Sequence, residues 1–294
     1  MTLMGMLIPG SLANTLGWTL LHSLWQGMII FVLYRVIAAI IHPSRSKTRY
    51  VLSVAALAMI PLSAAITFAM LYPEPNVPSG ASSMGDPMNP IARTASALFK
   101  SYSGDLIPGQ LSIRVWYSTL LSFLNGHMDF IAAGWIAGML IFLFRMTGGY
   151  FYSHRLKSRH VFDVDHTWKK RLEVLRQRMD INCSVRLVES SKVSIPSVIG
   201  FLKPVILVPV GVLSQIPADQ LEAILVHELA HILRKDYLIN LLQVAVEAIF
   251  FFHPVVWWLS GRIRAEREFI CDDLSLAYCQ NPLTYIKALT SIQE

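Results

Sequence analysis

Three apolar runs dominate the first half of the chain. Residues 16–41, 51–71 and 130–151 each reach the ~20 apolar residues that carry an α-helix across a bilayer. The polar segments between them differ in sign and length. "HPSRSKTRY" (42–50) holds Arg45, Lys47 and Arg49 and no acid, and "SHRLKSRH" (153–160) holds Arg155, Lys157 and Arg159. Residues 72–127 balance Arg93, Lys100 and Arg114 against Glu74, Asp86 and Asp105, and open with the Pro-, Gly- and Ser-rich "YPEPNVPSGASSMGDPMNP". Basic short loops stay in the cytoplasm. The pattern therefore predicts three spans, with the N-terminus and the 72–127 loop outside and the chain after residue 151 inside. Within that loop, residues 107–125 read as an amphipathic helix lying on the membrane.

After residue 152 the period changes. Residues 166–179 are charged and helical. "VRLVES" (185–190) and "KPVILVPV" (203–210) are β-branched, apolar and bounded by Pro and Ser, which predicts two short strands. Pro217 then opens a helix whose first turns carry Asp219 and Glu222, acids suited to the positive helix end. The fold class is an α-helical membrane protein with a cytoplasmic α+β domain. Residues 1–152 form the three-span region and 153–294 the second domain.

Composition agrees. Hydrophobic residues make up 54% and charged residues 15%, against about 25% charged in soluble domains. The net charge of +6 lies in the cytoplasmic segments, so lipid contact is expected and direct nucleic-acid binding is not. The N-terminal "MTLMGMLIPGSLAN" lacks the basic start of a cleavable signal, and the run that follows is too long for one. The expected location is the inner (cytoplasmic) membrane, multi-pass. Cys183, Cys271 and Cys279 form no C-x-x-C pair and read as reduced and structural.

The chemistry lies in "LVHELAHILRKD" (225–236). His227 and His231 are four residues apart, on one face of a helix, and could share a metal ion, with Glu228 between them as general base. The alternative is two surface histidines on an amphipathic helix. Catalytic zinc takes three protein ligands and a water. Glu268 in "RIRAEREFICDD" (262–273) is a candidate third ligand, and Asp272, one turn later, could orient a ligand. The alternative there is a solvated helix with Glu266, Glu268 and Asp273 as surface acids.

The stretches "HELAHILRKDYLINLL", "FFHPVVWWL" and "EREFICDD", with "GWTLLHSLWQG" near the N-terminus, resemble the BlaR/MecR-type membrane signal-transducer zinc metallopeptidases. They resemble more distantly the membrane metallopeptidases of protein processing and quality control. The resemblance implies a gluzincin-like domain with one Zn2+ held by His227, His231 and Glu268. It makes Glu228 the general base and Asp272 a residue that orients a ligand. It also implies an antirepressor-type endopeptidase that cleaves a cytoplasmic repressor, itself, or both on an external signal. The expected partners are a peptide or protein substrate, with a transcriptional repressor as candidate, and membrane lipids; oligomeric state is not read. Those transducers carry a penicillin-binding domain after a further span. The 294 residues show none, and Ser44-x-x-Lys47 reads as a chance match, so beta-lactam sensing is not implied. Two other functions stay open: a housekeeping membrane protease, and a non-catalytic signalling scaffold. An intact Glu228 argues against the scaffold.

Residues 237–259, "YLINLLQVAVEAIFFFHPVVWWL", look like a fourth span. A single crossing would put Glu268 ~30 Å from the histidines, too far to share one ion. A helical hairpin over about 237–262, broken near His253-Pro254 and partly sunk in the bilayer, is expected instead. The stretch "SIPSVIGFLKPVILVP" (194–209) reads equally as a substrate-binding edge strand and as an ordinary sheet strand. His253 is a weak candidate for stabilising an oxyanion. His22 and Gln26 read as helix-packing groups, and the Lys169, Lys170 and Arg171 cluster as facing solvent or anionic lipid.

Overall fold

In the computed structural model, which describes residues 10–72, 108–157, 161–200, 203–279 and 282–293, the apolar runs form three long helices. These are α1 (Gly10–Ile40), α2 (Ser46–Leu71) and α3 (Pro108–Leu156). All three are long and apolar enough to cross a membrane. Their surfaces leave Leu33, Val36, Leu62, Ile141 and Phe144 exposed. Such a density of large apolar side chains suits hydrocarbon rather than water, and the chain is a multi-pass membrane protein. The separate amphipathic helix expected over 107–125 does not form. It is the first part of α3, because no proline or glycine interrupts the backbone between Leu111 and Asn125. The Pro- and Gly-rich part of the expected outside loop, residues 73–90, lies outside the described residues.

The chain divides into two compact units, residues 1–23 with 64–136 and residues 24–63 with 137–294. In the first, Trp18 Nε1 donates to Asn125 Oδ1 at 3.0 Å, and Gly17 leaves room for the Met128 side chain.

The second unit holds the remaining halves of the long helices and an α/β domain. The strands are β1 (Val161–Asp163), β2 (Arg186–Ser190), β3 (Ser197–Ile199) and β4 (Val205–Pro209), in the order β1-β2-β4-β3. β2 and β4 are parallel, while β1 and β3 pair antiparallel at the two edges. The two central strands are the ones legible in the sequence; the three-residue β1 is too short to show a period.

Side chains alternate across the sheet. On one face Leu187, Ile206 and Val208 pack against α4 (His166–Arg178) through Leu172 and Leu175, and against α6 (Ala218–Leu233) through Leu225, Val226 and Leu229. On the other face Val188, Val205 and Leu207 pack against Leu156 at the end of α3. Each fully buried Leu or Ile contributes roughly 1.5–3 kcal/mol, so this double-sided core anchors α6. The short α5 (Val212–Gln215) leads into it.

The apolar run over residues 237–259 is not one helix. α7 (Asp236–Ile249) stops, and α8 (Pro254–Tyr278) starts with its proline at the first helical position, where a missing N–H costs nothing. His253 caps α8, its Nδ1 accepting from Val255 N at 3.2 Å. Gln243 donates to Ser260 O at 3.1 Å, and Arg264 pairs with Glu247 at 3.1 Å, so the polar side chains of α7 turn toward α8. The last helix, α9 (Pro282–Gln293), packs on α6 through Tyr285 and Ala288.

The Lys169–Arg171 cluster is less free than the sequence implied. Lys169 pairs with Asp163, and Arg171 pairs with Glu222 at 2.8 Å while lying over Trp168.

Candidate metal centre

α6 is buried on most of its circumference, and its remaining face presents the two histidines. Their ring centroids are 5.0 Å apart and nearly perpendicular. α8 crosses opposite and delivers Glu268. Its Oε2 lies 3.6 Å from His227 Nε2 and 3.5 Å from His231 Nε2. Three donors on one tetrahedral ion with ~2 Å bonds stand roughly 3.3 Å apart. The candidate donors lie within 4.8 Å of one another, and two imidazoles with a carboxylate are a donor set zinc accepts. The residues fit the ion.

The other ring nitrogens are held as a metal site needs. His231 Nδ1 is 3.0 Å from Asp236 Oδ2. His227 Nδ1 is 2.8 Å from the Tyr285 hydroxyl and 3.3 Å from Asp272 Oδ1. Tyr285 in turn donates to Asp272 at 2.6 Å. Asp272 thus lies behind His227. Asp236 and Tyr285 were not anticipated. Asp236 is five residues past His231, beyond the i, i+4 reach of one helix. It arrives because Lys235 adopts a left-handed conformation (φ 54°) and folds the chain back. Tyr285 comes from α9, and "NPLTYIKAL" carries no local sign of a role. Cys271 is also more than packing, since its Sγ is 3.3 Å from His231 Nδ1. All three cysteines are free thiols.

Glu228 is buried, at 8% exposure, and lines the same cleft as both histidines. That cleft measures about 1480 Å³; Val198 and Gly200 at the sheet edge, His154 and Lys157 from the end of α3, and Arg267 contribute to its walls. His253, His22 and Gln26 do not line it. Glu266, a surface acid only in the alternative reading of this helix, is buried on α8.

Charge is tightly coupled here. Burial pulls the His227 pKa down, but hydrogen bonds to Asp272 and Glu268 outweigh it and leave the group at about 9. Burial acts on His231 likewise and is outweighed by Asp236, Cys271 and Glu268, to about 12. The histidines hold the Glu268 carboxyl well below the usual range. Burial pushes Glu228 up.

The acidic partners thus favour the protonated imidazoles in metal-free protein, and zinc needs them neutral. Binding should release protons, so apparent zinc affinity should rise with pH between pH 6 and 7.5, by up to roughly 100-fold per pH unit if both imidazoles give one up. Chelator competition across that range measures the slope. A flat profile would contradict the assigned imidazole pair.

Fold and site together define a class: a multi-pass membrane protein whose α/β domain gathers a His/His/Glu cluster able to hold a metal ion. A family model described as BlaR1 peptidase M56 matches residues 14–292, and the chain belongs to that family. It is 30% identical over 117 residues to the Regulatory protein BlaR1 of Bacillus licheniformis, covering 40% of this chain and 18% of that protein. It is 27% identical over 139 residues to the Methicillin resistance mecR1 protein of Staphylococcus aureus (strain Mu50), covering 47% of this chain and 23% of that protein. The mecR1 protein of Staphylococcus epidermidis gives the same figures. The matched stretches span less than a quarter of these relatives' lengths.

Proposed function

We propose that the chain is a membrane-embedded zinc endopeptidase of a signal-transduction system, which cleaves a cytoplasmic repressor, itself, or both in response to an external signal. The observation that carries this is the convergence of His227, His231 and Glu268 in one cleft with Glu228 beside them. Zinc held by those three donors would supply a Lewis-acidic charge beside the scissile carbonyl. Glu228 takes the proton of the attacking water and passes it to the leaving amine. Burial raises its pKa above that of a free carboxylate, the direction that favours returning a proton as well as accepting one. β3, an edge strand lining the cleft, offers a backbone on which an extended substrate segment adds as a further strand.

The active site is assigned to the cytoplasmic membrane surface, with the α7–α8 turn inserted in the bilayer. Two close approaches support the inserted turn. The His253 ring packs on Gly27 of α1, and the Phe251 ring packs on Gly138 of α3. Gly27 is ~20 Å along α1 from the Ile40 end at 1.5 Å per residue, past the middle of a ~30 Å hydrocarbon core.

Two measurements on the full chain test the reading. Purified protein should contain one zinc per chain and should cut itself or a loosely folded protein, with a chelator abolishing the cleavage. Zinc-free protein, or cleavage indifferent to chelation, would refute a zinc peptidase. Single cysteines at residues 73–107 should react with an impermeant reagent added outside, and those at 161–190 should not. The reverse pattern would move the site to the other side of the membrane.

A further inference from the structure

Two consecutive residues at the start of α2, Arg49 and Tyr50, reach both metal-bearing helices. Arg49 Nε, itself buried, lies 2.9 Å from Glu266 Oε1 on α8. Glu266 is almost fully buried and is two residues from Glu268. Its only other ion-pair partner among the described residues is Arg262 on its own helix. A buried carboxylate is tolerable only with its counter-charges in place, so Arg49 fixes where this turn of α8 sits against α2. The neighbouring Tyr50 ring lies under the Arg234 guanidinium, 5.0 Å from it. Arg234 Nε donates to Asp236 Oδ1 at 3.2 Å, and Asp236 Oδ2 is 3.0 Å from His231 Nδ1. One path ends two residues from the oxygen donor and the other on a nitrogen donor's own ring.

We propose that Arg49 and Tyr50 are positioning residues for the metal centre: together they set the spacing of Glu268 from His231, and thereby tie the geometry of the site to the placement of α2. The two contacts arise from adjacent positions on one rigid helix and end on different elements, so a shift of α2 along its axis bears at once on the turn of α8 beside Glu268 and on the Arg234–Asp236 support of His231. A link through Arg49 alone would move only α8. This inference rests on the zinc reading above.

The test uses full-length protein in detergent loaded with cobalt, whose visible bands report ligand geometry, alongside zinc affinity by chelator competition. Tyr50→Leu should alter the cobalt spectrum and weaken zinc binding by roughly 10–100-fold, the range for loss of an outer partner. Tyr50→Phe, which keeps the ring over Arg234, should restore both. Arg49→Gln should act likewise, with Arg49→Lys as the charge-retaining rescue. Because Arg49→Gln orphans a buried carboxylate and can unfold the chain, the double variant Arg49→Gln/Glu266→Gln serves in its place. Wild-type cobalt spectra and zinc affinities in both Tyr50→Leu and the double variant would overturn the proposal, even if their melting temperatures fell. If wild-type protein itself binds neither metal, the zinc reading fails, and this inference fails with it.

Discussion

Glu228→Gln is expected to give a folded, zinc-loaded protein whose peptide-bond cleavage falls by roughly 10²–10⁴-fold, the usual contribution of a positioned acid–base group. The carboxylate is buried beside the three donors and is not one of them. Glutamine keeps its volume and removes only the ability to take and return a proton. Zinc content, measured on the same preparation, separates the two ways of losing activity. Full zinc with no cleavage supports proton transfer at Glu228. Loss of zinc would mean that the glutamate holds the site together, and retained cleavage would remove it from the chemistry altogether. Glu228→Ala should show the same loss, with a lower melting temperature from the hole left in the core.

The parts of this molecule legible in its sequence are those governed by a short period or a length. Apolar length gave the spans, because hydrocarbon requires a run of fixed size. The i, i+4 spacing put His227 and His231 on one face, and burial of the rest of α6 leaves that face as the one available to a ligand. The demand that one ion be shared predicts a break in the 237–259 run, and the chain does break there, between the end of α7 at Ile249 and the start of α8 at Pro254. Elsewhere the deciding contacts depend on tertiary geometry. Asp236 looks like the end of a basic tail in "HILRKD" until Lys235 turns left-handed and brings it under His231. Glu266 reads as one more surface acid because its partner Arg49 is more than 200 residues away in the chain. Tyr285 belongs to a terminal helix with no motif, and its role follows only from the packing of α9 on α6.

Those non-local contacts also rank the groups around the candidate metal site. His231 has a carboxylate and a thiol on its far nitrogen, whereas His227 has a phenol that is itself tied to a carboxylate. The second arrangement is a relay in which Asp272 fixes Tyr285 and both fix His227. Loss of Asp272 therefore leaves His227 one partner, while loss of Asp236 leaves His231 facing Cys271 and removes the anchor of Arg234 as well.

Glu268→Ala is expected to lower zinc affinity by more than the roughly 10–100-fold that losing an outer partner costs, and to abolish cleavage with it. The carboxylate is half exposed, so its removal opens no core cavity, and circular dichroism and melting of the metal-free protein should change little. The donor set shrinks from three to two imidazoles, which leaves too few protein ligands for a catalytic zinc. Removing the negative charge also withdraws one of the groups that hold His227 and His231 protonated. Metal-free Glu268→Ala should therefore titrate its histidines at lower pH than wild type. Asp272→Ala is the control: it keeps all three donors, so its zinc loss should stay within the range for an outer partner. Full zinc occupancy in Glu268→Ala at limiting metal, or a larger loss in Asp272→Ala than in Glu268→Ala, would show that the third ligand is Asp272 or another group of the cleft.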